Sequence, residues 1–180
     1  MRSVSGPDAA AVVLVLLLGG TALAQSATHS DTAEGKRLFK EDCAGCHKWH
    51  GNGGGGYGGA ALSLRQTQLT REQIIETVGC GRPGTGMPYH KRDAYQGDDK
   101  SCYGMTRAEL GKDVPPGADK FLRPPEIEKV VDYVLAELKG KGEPNLADCE
   151  AFWGQGSRLC HEYQSGQAGS GAQAAPKSGD

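Results

Sequence analysis

Three side chains in the first third of the chain, Cys43, Cys46 and His47, have the types and the spacing for covalent attachment of a haem. Two thiols three residues apart can form thioethers with the two vinyl groups of one porphyrin, and the histidine after the second thiol can ligate the iron. Imidazole on one side of the iron and a thioether on the other is the usual pairing for electron transfer. The pattern therefore predicts one covalent haem c with His47 as the proximal ligand.

The same stretch is compatible with other chemistry. A Cys-x-x-Cys pair can be a redox-active dithiol, but that class expects a thioredoxin-like βαβ pattern, which the flanking sequence lacks. A zinc site could use Cys43, Cys46, His47 and His50, yet such sites commonly have a second Cys-x-x-Cys, and a glycine-rich turn follows His50. Two unrelated cysteines beside a histidine are the remaining alternative. The haem interpretation is favoured because an export signal and a candidate distal methionine agree with it.

The second iron ligand is expected from a loop that presents a methionine. Residues 82–90 contain two prolines and two glycines, so they cannot form regular helix, and Met87 lies among them. A thioether is soft and neutral, favours Fe(II) over Fe(III), and fills the sixth position of the iron. Met87 is therefore predicted as the distal axial ligand. Met105 and His90 are the alternatives for that position.

The N-terminus has the features of an export signal. Arg2 gives a positive start, residues 9–18 form an apolar run, and Ala22-Leu23-Ala24 matches an A-x-A cleavage site. The run is shorter than the roughly 20 residues that span a bilayer, although Asp8 leaves an uncleaved anchor as the alternative. We expect cleavage after Ala24, which in bacteria places the mature protein in the periplasm without stable membrane insertion.

Four further cysteines fit an oxidising compartment. Two pairs that are nearest neighbours in sequence, Cys80–Cys102 and Cys149–Cys160, are favoured among the three possible pairings. Each disulfide would stabilise the fold by about 3 kcal/mol through loop closure. Reduced thiols buried as small apolar side chains are the alternative at one or both pairs.

Three stretches have the apolar spacing of amphipathic helices. The predicted helices run from about residue 32 into the haem motif, from residue 70 to about residue 79, and from residue 124 to about residue 140. Thr70 and Gln73 are spaced as a capping box, and Pro124 suits the first turn of a helix. The last helix carries one continuous apolar stripe, so we expect it to pack in the core.

The remaining segments differ in composition from these helices. Residues 91–120 are polar and irregular, which indicates an insertion that a Cys80–Cys102 disulfide would hold beside Met87. The end of the chain is rich in Gly, Ser, Ala and Gln and is expected to be disordered. We predict a signal peptide over residues 1–24, a haem domain over 25–140, a disulfide-held appendix over 141–163 and a disordered tail over 164–180.

Between about residues 31 and 140 the chain resembles the class I c-type cytochromes with one haem. The resemblance rests on the haem motif, on Gly86-Met87-Pro88, on Gly35 and Phe39 before the motif, and on Val130 and Tyr133 in the closing helix. It implies an all-α fold wrapped round the haem, with the first and last helices crossing near a glycine and an aromatic. It also implies that His47 and Met87 are the axial ligands.

One departure from that family concerns the proximal histidine. The family often has a proline after the haem motif whose carbonyl receives the imidazole N–H. Residues 58–61 here are Gly-Gly-Ala-Ala instead, so another carbonyl must accept from His47.

The additional cysteines, the insertion and the appendix are similar to a cysteine-rich group of cytochromes associated with methanol metabolism. That resemblance implies a periplasmic dehydrogenase, a quinoprotein alcohol dehydrogenase that uses pyrroloquinoline quinone, as electron donor. These features together predict an electron carrier between redox proteins rather than an enzyme.

Charge and composition exclude some functions. The net charge of −2 makes nucleic acid an improbable partner. The chain contains no Ser/His/Asp or paired-carboxylate pattern that would indicate hydrolysis. Two alternatives to a free carrier stay open: a haem subunit held permanently in a dehydrogenase complex, and a haem sensor or enzyme with an open sixth position.

Overall fold

The computed structural model describes residues 22–54 and 60–164. The predicted signal peptide up to Thr21 and the predicted tail from residue 165 onward lie outside the described residues. The described part contains helices and two isolated β-bridges, so the all-α prediction is confirmed there. The α-helices are α1 (Ala22–Asp42), α2 (Ala44–His47), α3 (Arg71–Cys80), α4 (Arg107–Leu110), α5 (Pro124–Tyr133), α6 (Leu146–Trp153) and α7 (His161–Gln164). None of the helices in this part of the chain combines the length and the apolar character needed to cross a bilayer.

The first helix begins earlier than predicted. α1 starts at Ala22 instead of near residue 32, so the predicted start was wrong. Residues 22–27 include three alanines and a leucine, which are strong helix formers, so the helix extends upstream of its expected start near residue 32. Cleavage after Ala24 would remove only Ala22-Leu23-Ala24 from this helix.

The start of α3 agrees with the predicted capping box. The Thr70 hydroxyl accepts from the Gln73 N–H at 3.3 Å, and the Gln73 side-chain oxygen accepts from the Thr70 N–H at 2.8 Å. Because both bonds satisfy amides that a helix leaves without intrahelical partners, they define where the helix begins. A capping box of Asn145 and Asp148 likewise begins α6, a helix that the sequence analysis did not predict.

The core lies where α1 crosses α5. A Cβ atom added at Gly35 would lie only 2.0 Å from the carbonyl oxygen of Lys129, so the two helix backbones are in direct contact at this glycine. One turn further along, the rings of Phe39 and Tyr133 pack at a centroid distance of 5.3 Å. α5 then passes into a π-helical turn, Val134–Leu138, which continues the buried apolar stripe. The contact that the family resemblance implied between the first and last helices is present at these residues.

Two disulfides attach the irregular segments. The structure pairs Cys80 with Cys102, which joins the insertion to the end of α3, and Cys149 with Cys160, which closes the appendix. These are the two pairs favoured from the sequence. The appendix packs on the haem domain through Phe152, whose ring meets the ring of Phe39 edge to face at 6.4 Å. Lys36 adds a hydrogen bond of 2.7 Å to the Ala151 carbonyl.

Candidate functional site

A large apolar cavity lies between the haem motif, α3, α5 and the loop that carries Met87. Its volume is about 690 Å³. Aliphatic and aromatic side chains from α1, α3, α5 with its π-helical turn, and the segments between them form its walls: Phe39, Leu62, Leu64, Leu69, Ile74, Val78, Tyr103, Val130 and Val134. Of the described residues that line it, Arg82 alone carries a full charge, so the cavity suits a large, flat and mainly apolar ligand.

The haem motif meets this cavity at the end of α1. The N–H of Cys43 donates to the Phe39 carbonyl at 2.9 Å, and the N–H of His47 donates to the Cys43 carbonyl at 3.0 Å, so Cys43 to His47 form one further helical turn. Cys43 and His47 both line the cavity, and neither Cys43 nor Cys46 takes part in the two disulfides. Burial raises the pKa of the Cys43 thiol to about 12, so this thiol is uncharged at neutral pH and is compatible with an apolar wall.

The zinc alternative gains no support from this geometry. Among residues 22–54 and 60–164 there is no group of three or more His, Cys, Asp and Glu side chains placed to hold a metal ion. His50, the fourth ligand that such a site would need, accepts a hydrogen bond at Nδ1 from the Asn52 N–H at 3.1 Å.

The imidazole of His47 is oriented by a backbone carbonyl. Its Nδ1 lies 3.2 Å from the carbonyl oxygen of Leu62, which leaves Nε2 as the ring nitrogen for a metal bond. Burial lowers the pKa of His47, which favours the neutral imidazole that can act as a ligand. Leu62 therefore supplies the carbonyl that a proline often supplies in the class I c-type cytochromes, which the chain resembles.

The glycine-rich segment brings Leu62 to the motif. Gly54 and Ala61 exchange backbone hydrogen bonds of 3.0 and 3.3 Å, and the Gly53 N–H donates to the His47 carbonyl at 3.1 Å. Gly53 has a φ of 72°, and a Cβ atom there would lie 2.1 Å from the Ala61 carbonyl oxygen, so only glycine fits. These contacts hold the segment against the motif and place the Leu62 carbonyl beside the His47 imidazole.

The methionine loop forms another part of the cavity wall. Met87 lines the cavity together with His47. The Met87 N–H donates to the Thr85 hydroxyl at 3.2 Å, and the Met87 carbonyl accepts from the Arg82 N–H at 3.2 Å, so the loop is fixed on both sides of the residue.

The two alternative distal ligands lie elsewhere. Met105 is 37% exposed and is not among the residues that line the cavity. His90 is buried, but its Nδ1 lies 3.2 Å from the Lys120 carbonyl oxygen and the residue does not line the cavity. The structure therefore brings Met87, and not Met105 or His90, to the cavity that His47 lines.

Taken together, the donor set fits a covalently attached haem. The Cys43 thiol, the His47 imidazole with one nitrogen already hydrogen-bonded, and the Met87 thioether all line a cavity with apolar walls. Cys46 lies in the same helical turn as Cys43 and is not among the residues that line the cavity. Cys43, Cys46, His47 and Met87 are the residues that would hold such a group.

Two residues of the site could not be identified from the sequence. The Leu62 carbonyl is a backbone group, so the type of residue 62 carries no signal for its role. Tyr103 comes from the insertion and lines the cavity, because the Cys80–Cys102 disulfide brings its neighbour to the end of α3. The capping box of Thr106 and Glu109 lies close to Tyr103 in sequence and gives no indication of a contact with the cavity.

A buried arginine links the haem-motif loop to the appendix. The guanidinium of Arg65 donates to the His50 carbonyl at 2.6 Å and to the Gly142 carbonyl, and it pairs with Asp148 at 3.3 Å. The side chain of Arg65 is 4% exposed, whereas that of Asp148 is 39% exposed, so the ion pair lies at the edge of the buried region.

Comparison with known proteins adds one match. Residues 32–137 match the model of the family described as Cytochrome c. The matched region runs from α1 into the π-helical turn and includes Cys43, Cys46, His47 and Met87. No curated protein and no solved structure gives a significant match to the chain.

Proposed function

Because the chain belongs to the cytochrome c family, we propose that it is a periplasmic electron carrier whose haem iron is held by His47 and Met87. Family membership gives the chain covalent haem c and a haem-based role in electron transfer. Members of the family are generally carriers and not enzymes. The compartment, the ligand pair and the partner proteins are the proposal.

The observation that carries the ligand assignment is that His47 and Met87 line one apolar cavity, whereas Met105 and His90 do not. Haem c supplies reversible one-electron exchange between Fe(III) and Fe(II). Cys43 and Cys46 hold it covalently, so it cannot dissociate during the exchange. His47 presents Nε2 in a fixed orientation because Leu62 binds the other ring nitrogen.

Met87 gives the site the character of a carrier. A thioether in the sixth position keeps water and small molecules away from the metal and leaves little to rearrange when the oxidation state changes. The backbone hydrogen bonds of Met87 to Thr85 and Arg82 support this role, because they fix the conformation of the loop that presents Met87. This arrangement argues against a sensor or an enzyme, which needs an open or readily displaced sixth position.

The mouth of the cavity provides a route for electrons to a partner. Leu62 and Leu69 line the cavity and are 59% and 38% exposed. The polar residues beside them on the cavity wall, Ser63, Gln66, Thr67 and Gln68, are uncharged. An exposed, largely uncharged rim supports short-lived docking of donor and acceptor proteins at the edge of the haem.

A periplasmic dehydrogenase is the proposed electron donor, and a quinoprotein alcohol dehydrogenase is the specific candidate. The candidate rests on the resemblance to the cysteine-rich cytochromes of methanol metabolism. Two disulfides support an oxidising compartment, in agreement with the expected export signal. A second redox protein would act as acceptor.

The proposal that the protein is an electron carrier is tested on protein secreted from a host that matures c-type cytochromes. We expect the purified protein to elute without a partner subunit, to be low-spin in both oxidation states, and to bind CO slowly when reduced. High-spin reduced protein with rapid CO binding would contradict the carrier and favour a sensor or an enzyme. Stoichiometric co-purification with a dehydrogenase from the native host would instead identify a permanent subunit.

A further inference from the structure

The insertion places one tyrosine on the wall of the haem cavity. Tyr103 lines the cavity together with Met87. It follows Cys102 directly, and the disulfide of Cys102 with Cys80 attaches this part of the insertion to the end of α3. An insertion held beside Met87 was expected from the sequence, but a contact of Tyr103 with the cavity was not, so this contact requires its own explanation.

Three interactions hold Tyr103 in place. Its backbone N–H donates to Glu76 Oε1 at 2.9 Å, its hydroxyl donates to the Gly81 carbonyl at 2.7 Å, and its neighbour Cys102 is covalently tied. The backbone has a φ of 56°, in the left-handed region that non-glycine residues rarely adopt. Such conformations persist where the surroundings determine them and cluster at functional sites.

The carbonyl that the Tyr103 hydroxyl binds belongs to a residue packed against Met87. A Cβ atom added at Gly81 would lie 2.8 Å from the Met87 carbonyl oxygen, so no space separates Gly81 from the methionine backbone. The next residue, Arg82, donates its N–H to the same Met87 carbonyl at 3.2 Å. A displacement of Gly81 would therefore be transmitted directly to the loop that presents Met87.

We propose that Tyr103 is a positioning residue for the distal ligand: its hydroxyl fixes Gly81 and its side chain forms part of the cavity wall, and both keep Met87 in place for ligation. The inference rests on the proposed ligation by His47 and Met87. It gives the disulfide-tied insertion a function, which is to carry this tyrosine to the methionine side of the cavity.

A second tyrosine of the insertion provides a matched control. The Tyr95 hydroxyl donates to the Cys80 carbonyl at 2.8 Å, one residue before Gly81. Tyr95 is 2% exposed and does not line the cavity. Replacing either tyrosine by phenylalanine thus removes one hydroxyl-to-carbonyl bond between the insertion and the end of α3, but only Tyr103 adjoins the cavity.

The test is a titration of the oxidised holoprotein with imidazole, which competes with Met87 for the iron. Displacement of Met87 is followed by loss of the weak near-infrared sulfur-to-iron band. We expect Tyr103→Phe to increase the apparent affinity for imidazole by roughly fivefold, the effect of one typical hydrogen bond on an equilibrium. Tyr95→Phe should lower the denaturation midpoint and leave the imidazole affinity unchanged.

Two further variants keep the test decisive. Tyr103→Leu removes the ring as well and should increase the imidazole affinity further than Tyr103→Phe. Glu76 does not line the cavity, and Glu76→Ala removes the acceptor of the Tyr103 N–H. This variant should also increase the imidazole affinity. It provides a test of the proposal if the tyrosine variants fold poorly.

Failure of the inference differs from failure of the proposed function. If the wild-type protein lacks the sulfur-to-iron band, ligation by Met87 is wrong and the inference falls with it. If the wild-type protein has the band, but Tyr103→Phe leaves the imidazole affinity unchanged or shifts it no more than Tyr95→Phe, the ligation stands and the positioning role of Tyr103 is wrong.

Discussion

Gly35 of α1 lies directly against the carbonyl of Lys129 in α5, so that an added Cβ atom would be 2.0 Å from that oxygen. Alanine normally stabilises an interior helical position over glycine by about 1 kcal/mol. Here the backbone contact reverses the sign, because neither helix can move without disturbing the packing of Phe39 on Tyr133. We expect Gly35→Ala to lower the free energy of unfolding, measured by denaturant titration, by about 1–3 kcal/mol.

Gly79 is the control for this substitution. It also lies in a helix, α3, but a Cβ atom there would come no closer than 3.7 Å to a neighbour, the Cβ of Lys91, which is an ordinary contact distance. Gly79→Ala should leave the unfolding midpoint unchanged or raise it slightly. Equal effects of the two substitutions would contradict the close crossing of α1 and α5.

Arg65 is predicted to be the main polar contribution to the attachment of the appendix. Arg65→Met keeps an unbranched, largely apolar stem but removes the donors to the His50 and Gly142 carbonyls and the ion pair with Asp148. Since the guanidinium is almost completely buried, we expect a loss of about 3 kcal/mol in the free energy of unfolding. The measurement is chemical denaturation of the holoprotein.

The matched control is Arg71→Met. Arg71 also pairs with a carboxylate, that of Asp132 at 2.9 Å, but both side chains are more than one third exposed. Exposed pairs contribute about 0–1 kcal/mol, so this variant should be close to wild type. A loss at Arg65 no larger than the loss at Arg71 would show that the appendix is held by other contacts.

His90 should make the protein less stable in acid. Burial lowers the pKa of His90, although Asp42 and the Lys120 carbonyl act in the opposite direction and the charge of Lys120 adds to the lowering. The unfolded chain, with an ordinary histidine pKa near 6.5, therefore takes up a proton at a higher pH than the folded protein does. The contribution of His90 is complete above about pH 6.5 and is lost as the pH falls from there through the lower pKa of the folded state.

His90→Gln tests this effect, since glutamine can still donate a hydrogen bond to the Lys120 carbonyl. Unfolding free energies measured between about pH 8 and about pH 5 should fall less for the variant than for the wild-type protein. An identical pH dependence in both proteins would mean that His90 does not contribute to the acid sensitivity.

The appendix disulfide should stabilise the fold without affecting the iron. Replacing Cys149 and Cys160 by serine opens a loop with a sequence separation of 11, which is expected to cost about 2–3 kcal/mol. Neither residue lines the haem cavity, so the visible spectrum of the oxidised and reduced protein should be unchanged. A changed spin state in the variant would indicate that the appendix also acts on the haem site.

Local signals predicted much of this molecule. The capping box of Thr70 and Gln73 could be identified because both partners lie within four residues of each other. Cys43, Cys46 and His47 could be proposed as the haem attachment site because the attachment of one porphyrin requires a fixed spacing, whatever the rest of the fold is. Met87 was distinguished from Met105 by the prolines and glycines around it, and the cavity agrees with that choice.

Contacts between residues that are distant in sequence could not be predicted. The Leu62 carbonyl lies beside His47 because Gly54 pairs with Ala61 and Gly53 donates to the His47 carbonyl. Tyr103 reaches the cavity through a disulfide whose pairing was one of three possibilities. Arg65 had no local partner, since Gly142 and Asp148 are distant in sequence. The start of α1 was misplaced because the apolar spacing begins near residue 32, whereas the helix-forming residues at 22–27 extend the helix further upstream.

The central claim is that Met87 ligates the iron of a covalent haem opposite His47, and near-infrared spectroscopy of the oxidised holoprotein tests it most directly. The account predicts a sulfur-to-iron band in the wild-type protein and in Met105→Leu, and its loss in Met87→Leu, with the c-type visible spectrum of attached haem retained in all three. A band that persists in Met87→Leu, or that disappears in Met105→Leu alone, would contradict the account.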